Sequence, residues 1–124
     1  TKPPWRPLVN IPKMAELAQA MVKDSLNAFL KKDKELAMAV IQRDEEVDQL
    51  QTLIYKNLLN DMIADKNTIE CASALLLVSS KLERIADQST NICEEVIYVI
   101  TGVPIKHQDT LRFDTSIPPA RSKR

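Results

Sequence analysis

The sequence predicts an all-α protein folded as an antiparallel three-helix bundle, and its composition and apolar periodicity are the observations that predict this. The chain of 124 residues has one Gly, one Trp and two Phe, whereas residues that favour helices are plentiful. Apolar residues recur at spacings of three and four over three long segments, and no segment alternates as a strand would. The length is sufficient for one domain with a buried core.

The first helix is expected over residues 13–31, after an extended, proline-rich linker over residues 1–12. The linker contains four prolines, which are incompatible with a regular helix. Asn10 suits an N-cap, and Pro12 suits the first helical turn. The predicted apolar stripe of this helix consists of Met14, Leu17, Ala18, Met21, Val22, Ala28 and Phe29.

The second helix is expected to begin after a cap at Asp33 and to end near residue 65. Its apolar residues keep the helical period from Leu36 to Met62. The segment 42–46 is polar, and this leaves open a kink or a short break there.

The third helix is expected over residues 67–101, because Asn67 and Glu70 have the spacing of a capping box. Gly102 is the only glycine and suits the residue that follows a helix. The bundle therefore occupies residues 13–102. Residues 103–124 are expected to form a mostly extended or disordered tail with a basic end.

Acidic residues interrupt the apolar stripes of the second and third helices. Residues four apart lie one above the other on a helix, so Asp44 pairs with Asp48, and Glu83 pairs with Asp87. Both pairs lie on the faces that should meet other helices, where an uncompensated charge is costly. Two such pairs on neighbouring helices would form an oxygen-rich site suited to Fe, Mn, Mg or Ca.

Two other interpretations of these acids remain open. The spacing is common on solvated faces, and Arg43 or Arg84 could neutralise the acids in a purely structural bundle that binds no metal. A carboxylate-bridged metalloenzyme is the other alternative. It is disfavoured because the only histidine, His107, lies in the tail, and one glycine cannot form a phosphate-binding loop.

Charge and cysteine usage restrict the function further. Seventeen basic residues balance seventeen acidic ones, so no overall charge attracts nucleic acid or an anionic membrane. Cys71 and Cys93 would be about 33 Å apart on one helix and cannot form a disulfide with each other. Two reduced cysteines are typical of a cytoplasmic protein. No apolar run reaches the length of a membrane span, and no signal-peptide pattern is present.

Three motifs resemble those of the PhoU family of phosphate-uptake regulators. Residues 82–95 (LERIADQSTNICEE), followed by VIYVITG, are similar to the family pattern L-E-R-I-G-D-H-A-x-N-I-A-E with its apolar run and closing glycine. Residues 44–48 (DEEVD) resemble the acidic motif of the preceding helix. Residues 8–16 (LVNIPKMAE) resemble the opening of the second repeat. Ala86 and Gln88 depart from the pattern, which commonly has Gly and His there.

The resemblance implies a function that spacing alone does not supply. Family members typically contain two three-helix repeats, and this chain resembles the second. The family's acidic motifs face outward and can hold iron or other metals, which implies Asp44, Asp48, Glu83 and Asp87 as ligands, with Asn91 and Glu94 one turn further along.

The resemblance also implies partners. Family members are non-catalytic and restrain phosphate transport and phosphate-starvation signalling. They do so by contacting a phosphate ABC-transporter ATPase and a sensor histidine kinase. Membrane association would then be peripheral and through partners only. The flank on which the other repeat would pack leaves a homodimer as an open alternative.

Overall fold

Three helices pack around one core in the computed structural model, which describes residues 7–104. The all-α three-helix bundle is therefore confirmed. The connections are short and each pair of helices is in contact, so consecutive helices run antiparallel and α1 is parallel to α3. The elements are α1, Pro7–Lys31; α2, Lys34–Ala64; a 3₁₀ turn, Lys66–Thr68; and α3, Ile69–Thr101.

The first helix begins earlier than the sequence predicts. We expected residues 1–12 to be extended, yet α1 starts at Pro7 and contains Pro12. Pro7 is tolerated because the first N–H groups of a helix have no intrahelical acceptor. Pro12 removes one helical hydrogen bond, but the added turn places Ile11 in the core at 8% exposure. The prediction of an extended linker is therefore wrong for residues 7–12, and residues 1–6 lie outside the described part.

The second helix agrees with its predicted cap and continues where a break was left open. Asp33 has extended backbone angles, and its Oδ1 accepts a hydrogen bond of 3.0 Å from the N–H of Leu36. The helix passes without interruption through residues 42–46. Burial of Asp44 and Val47 holds this polar segment against the bundle.

The third helix has a different start from the predicted one. A 3₁₀ turn precedes it, and Asp65 caps this turn by accepting a hydrogen bond of 3.0 Å from the N–H of Asn67. The N-cap of α3 itself is Thr68, which makes no side-chain capping hydrogen bond, so the predicted Asn67–Glu70 capping box is wrong. At the other end Gly102 adopts φ 75°, and its N–H donates to the carbonyl oxygen of Tyr98 at 2.8 Å. The predicted glycine stop is confirmed. The tail beyond Pro104, including His107, lies outside the described residues.

The core consists of aliphatic, methionine and small residues along the bundle axis. Phe29 was expected in the apolar stripe of α1 but is 58% exposed, so that prediction is wrong. Small polar residues are also buried, and their hydroxyl groups donate to backbone carbonyls of their own helices. The fully buried larger side chains are Met14, Met21, Ile54, Leu58, Ile97, Val40, Val47, Thr90, Cys93, Ser25 and Ser79.

Candidate functional site in the acidic groove

The two predicted acidic pairs lie near each other on α2 and α3, since both Asp48 and Asp44 act on the pKa of Glu83. Asp44 is buried with 4% exposure, Glu83 and Asp87 are half-buried, and Asp48 is exposed. These four side chains define the acidic groove. The burial gradient runs from the bundle interior at Asp44 to solvent at Asp48, so the groove is open on one side. The four acids therefore form neither a fully buried stripe nor a fully solvated helix face.

The charges in the groove act on one another across the two helices. The pKa of Glu83 is raised from its ordinary value of 4.5 by partial burial, and then by the neighbouring carboxylates of Asp48, Asp87 and Asp44. Two of these neighbours belong to α2, whereas Glu83 and Asp87 belong to α3. The structure therefore brings the three aspartates within electrostatic range of Glu83. Their mutual repulsion is a cost that a bound cation would offset.

The other two residues implied by the resemblance differ in position. Glu94 is buried with 7% exposure, two turns beyond Asp87 on α3, and Asn91 is exposed. Hydroxyl groups beside the acids donate to the helix backbone: Thr90 Oγ1 to the carbonyl oxygen of Asp87 at 2.7 Å, and Thr52 Oγ1 to that of Asp48 at 3.0 Å. In these positions the two hydroxyl groups fix their own side chains.

The donor set of the groove suits a hard cation, although the side chains are not assembled around one. Carboxylate oxygens are preferred by Mg²⁺, Ca²⁺, Mn²⁺ and iron. Within residues 7–104, however, no three His, Cys, Asp or Glu side chains are gathered closely enough to hold a metal as they stand. Coordination would require some of these side chains to change rotamer.

A polar layer that the sequence analysis missed lies beside the groove. Arg43 Nη2 donates to Asp24 Oδ2 at 2.5 Å, which joins α2 to α1. The pKa of Cys93 on α3 is raised to about 11 by burial, with Arg43 acting to lower it and Glu94 and Asp24 to raise it. All three helices thus meet in this layer.

The two departures from the family pattern, Ala86 and Gln88, lie in different environments on α3. Ala86 is fully buried, so a small residue is required where helices approach closely. Gln88 is exposed and lies on the side of α3 away from the acidic groove, because residues 88 and 83 are about 140° apart around the helix axis. A histidine at position 88 would therefore not belong to the carboxylate set.

The fold and its groove define a small helical-bundle domain with an acidic face. The family model described as the PhoU domain matches residues 11–96 of this chain. The chain belongs to the PhoU family, and the resemblance found in the three motifs is confirmed.

Curated relatives carry the same family name. Proteins called phosphate-specific transport system accessory protein PhoU homolog match from Clostridium acetobutylicum (40% identity over 96 residues), Caulobacter vibrioides (39% over 99) and Aquifex aeolicus (38% over 107). The matches cover 77%, 80% and 86% of this chain, but 44%, 43% and 48% of the respective relatives. The chain thus spans less than half the length of these relatives. None of the helices within residues 7–104 is long and apolar enough to cross a lipid bilayer.

Proposed function

We propose that this chain is a non-catalytic regulatory domain of a phosphate-transport system that binds metal in its acidic groove and acts through protein contacts. The observation that carries the metal part is the raised pKa of Glu83, caused after burial by Asp48, Asp87 and Asp44. Carboxylates that repel one another from two helices form a place where positive charge is favourable. Membership of the PhoU family supports the regulatory part.

Asp44, Asp48, Glu83 and Asp87 would hold the metal, and Asn91 and Glu94 extend the same side of α3. Iron fits this oxygen-rich set, as do Mn, Mg and Ca. When bound, the metal would supply positive charge that joins α2 to α3 and presents open coordination positions to an anionic group. The chain's own residues contribute the four carboxylates, and the packing of α2 against α3 keeps the two pairs close.

The regulatory part of the proposal is supported by the relatives that match this chain. Accessory proteins of a phosphate-specific transport system act with that system. We infer that this domain contacts the transporter's ATPase and a sensor histidine kinase, and that these contacts restrain uptake and starvation signalling. This function requires no substrate-converting group, and the acidic groove would serve it as a binding surface.

Metal analysis tests the groove. Purified protein is incubated anaerobically with Fe(II), or separately with Mn(II), desalted and analysed by mass spectrometry for bound metal. We expect bound metal in the unmodified protein and a large loss in Asp48→Asn/Asp87→Asn, which keeps size and removes charge. The matched control is Glu46→Gln/Glu95→Gln, which removes two exposed acids from the same helices. Equal metal content in both variants would refute the ligand assignment, and no metal in any protein would favour the purely structural bundle.

Phosphate uptake tests regulation. The chain is expressed in a bacterium that lacks its own PhoU-family gene, and uptake of radiolabelled phosphate is measured in phosphate-rich medium. We expect lower uptake than in the same strain without the chain. Unchanged uptake, with the protein present and folded in the cells, would contradict the proposal.

A further inference from the structure

Arg43 is the cation next to the acidic groove along α2, yet its partner lies on α1. Arg43 directly precedes Asp44 in the sequence, and its Nη2 atom is 2.5 Å from Oδ2 of Asp24. Consecutive residues of a helix point about 100° apart around its axis. Arg43 therefore reaches α1, whereas Asp44 lies within electrostatic range of α3. The charge of this guanidinium group is shared with an aspartate that lies outside the acidic groove.

Arg84, which directly follows Glu83, also lies on a surface that involves α1. It lines a depression of about 430 Å³ between α1 and α3, together with Val22 and Ile85. None of the four acids of the groove lines this depression, because residue 84 is rotated by about 100° from residue 83. The two arginines that adjoin the acids in the sequence are thus both directed to the α1 side of the bundle.

Arg43 is close enough to act on the acidic groove if Asp24 does not hold it. Its side chain is 28% exposed and has several rotatable bonds, so packing does not confine it on every side. Arg43 also lowers the pKa of the buried Cys93 on α3. Cys93 lies about 9 Å along the helix axis beyond Asp87. The guanidinium group is therefore already near the helix that carries half of the groove.

The acids of the groove attract any positive charge that comes within reach. After burial, the causes that raise the pKa of Glu83 are the carboxylates of Asp48, Asp87 and Asp44. A cation that moved among these carboxylates would lower their mutual repulsion, whether it is a metal ion or an arginine side chain. A metal ion and a released Arg43 would therefore compete for the same negative charge.

We propose that Asp24 is a positioning residue for the acidic groove, which pairs with Arg43 and thereby keeps the carboxylates available to a metal ion. The inference rests on the proposed function, because it concerns the affinity of the same groove. Asp24 does not contact the metal in this arrangement. It acts from α1 through Arg43, so the helix that contributes no ligand also sets the affinity of the site.

Manganese affinity tests the proposal. Mn(II) is titrated into each protein, and the free ion is measured by electron paramagnetic resonance. Asp24→Asn should bind Mn(II) at least about fivefold more weakly than the unmodified chain, because the released Arg43 competes with the ion. Asp24→Asn/Arg43→Gln should return to within about twofold of the unmodified chain, because it lacks the competing charge. A pair that only stabilised the bundle would leave the double variant as weak as Asp24→Asn, which would overturn the proposal.

Two further variants separate the pairing from a general effect of charge. Asp24→Glu retains a carboxylate for Arg43 and should keep the affinity of the unmodified chain. Glu46→Gln removes an exposed acid one turn from Arg43 and should change the affinity by less than about twofold. Circular dichroism establishes that every variant is folded. Equal affinity of Asp24→Asn and the unmodified chain would overturn the proposal, and so would equal losses in Asp24→Asn and Glu46→Gln.

Thermal unfolding in chelator provides a second readout that requires no metal. In the unmodified chain, Glu83→Gln should raise Tm at neutral pH, because it removes one of the carboxylates that repel one another. In Asp24→Asn the same substitution should lower Tm or leave it unchanged, because Glu83 would then attract the released Arg43. An equal rise of Tm in both chains would show that Arg43 does not turn toward the groove, and would overturn the proposal.

The two readouts distinguish this inference from the metal proposal. Mn(II) binding that Asp24→Asn leaves unchanged would overturn this inference and leave the metal function intact. No Mn(II) binding by the unmodified chain would refute the metal function, and the thermal comparison would then decide by itself whether Asp24 holds Arg43 away from the carboxylates.

Discussion

Arg43 on α2 and Asp24 on α1 form an ion pair with 2.5 Å between Nη2 and Oδ2. Their side chains are 28% and 30% exposed, so the pair lies at the boundary between core and solvent. Both charges act on the pKa of Cys93 on α3, which Arg43 lowers and Asp24 raises. The pair therefore links α1 to α2 in the layer where α3 also packs.

A double-mutant cycle measures the coupling in this pair. Arg43→Ala and Asp24→Ala should each lower the free energy of unfolding, and the two effects should be non-additive by about 0.5–1 kcal/mol. Urea titrations of the two single variants, the double variant and the parent chain provide the four values. Additive effects would mean that the two side chains do not stabilise each other in solution.

The two cysteines should differ in reactivity. Cys71 is exposed, whereas Cys93 is buried and has a pKa of about 11. At a pH of about 8, a thiol with that pKa is ionised in roughly one chain in a thousand, and the thiolate is the reactive form. Brief treatment of the native protein with iodoacetamide should modify one cysteine per chain. Mass spectrometry counts the modified cysteines.

Two controls complete the cysteine experiment. The protein in denaturant should be modified at both positions, and native Cys71→Ser should remain unmodified over the same time. Rapid alkylation of native Cys71→Ser would contradict the buried, protonated thiol.

The raised pKa of Glu83 determines the sign of a pH effect. A carboxyl group with a higher pKa in the folded chain holds its proton more tightly there than in the unfolded chain. Its contribution to stability is therefore lost as pH rises from about 4.5 through the raised value. At neutral pH in chelator, Glu83→Gln should be more stable than the parent chain, by less than about 1 kcal/mol because the side chain is half-exposed.

The difference between Glu83→Gln and the parent chain should shrink as pH is lowered toward about 4.5, because the parent Glu83 then becomes protonated. Thermal unfolding at several pH values measures it. Glu95→Gln, at an exposed site on the same helix, serves as the control. A parent chain that is more stable than Glu83→Gln at neutral pH would show that the carboxylates in the groove do not repel one another.

A pair of leucines on α2 tests the position of the core. Leu58 is fully buried, whereas Leu53 is 45% exposed. Leu58→Ala should lower the free energy of unfolding by about 2–5 kcal/mol. Leu53→Ala should cost less than about 1 kcal/mol, because its side chain is already partly in water. Urea unfolding of both variants measures the two losses in free energy of unfolding. Similar losses would place the core elsewhere on α2.

The helices were predictable because their signals are local. The apolar period, the Asp33 cap and the Gly102 stop each depend on residues within a few positions of one another, and all three agree with the structure. The start of α1 was not predictable from local signals, because the burial of Ile11 against other helices outweighs the local effect of Pro12. The cap of α3 failed for a smaller reason. Asn67 lies inside the 3₁₀ turn that Asp65 caps, so α3 begins only after Thr68.

Part of the arrangement of the acids was predictable, whereas their role as metal ligands stays a prediction. The four-residue spacings of Asp44 with Asp48 and of Glu83 with Asp87 fix each pair on one face of a helix, and in the structure the aspartates raise the pKa of Glu83. The ion pair of Asp24 with Arg43 joins residues 19 apart. No helical period connects them, so only the packing of α1 on α2 reveals it.

The odd number of helices has a mechanical consequence. The chain enters the bundle at the start of α1 and leaves it after Gly102, and because α1 and α3 are parallel these points lie at opposite ends. The 25 residues of α1, whose last turn lies beside Val96 and Val99 of α3, separate them by about 40 Å. A force applied between these two points would pull α1 and α3 past each other in shear, loading their whole interface at once instead of peeling one helix away.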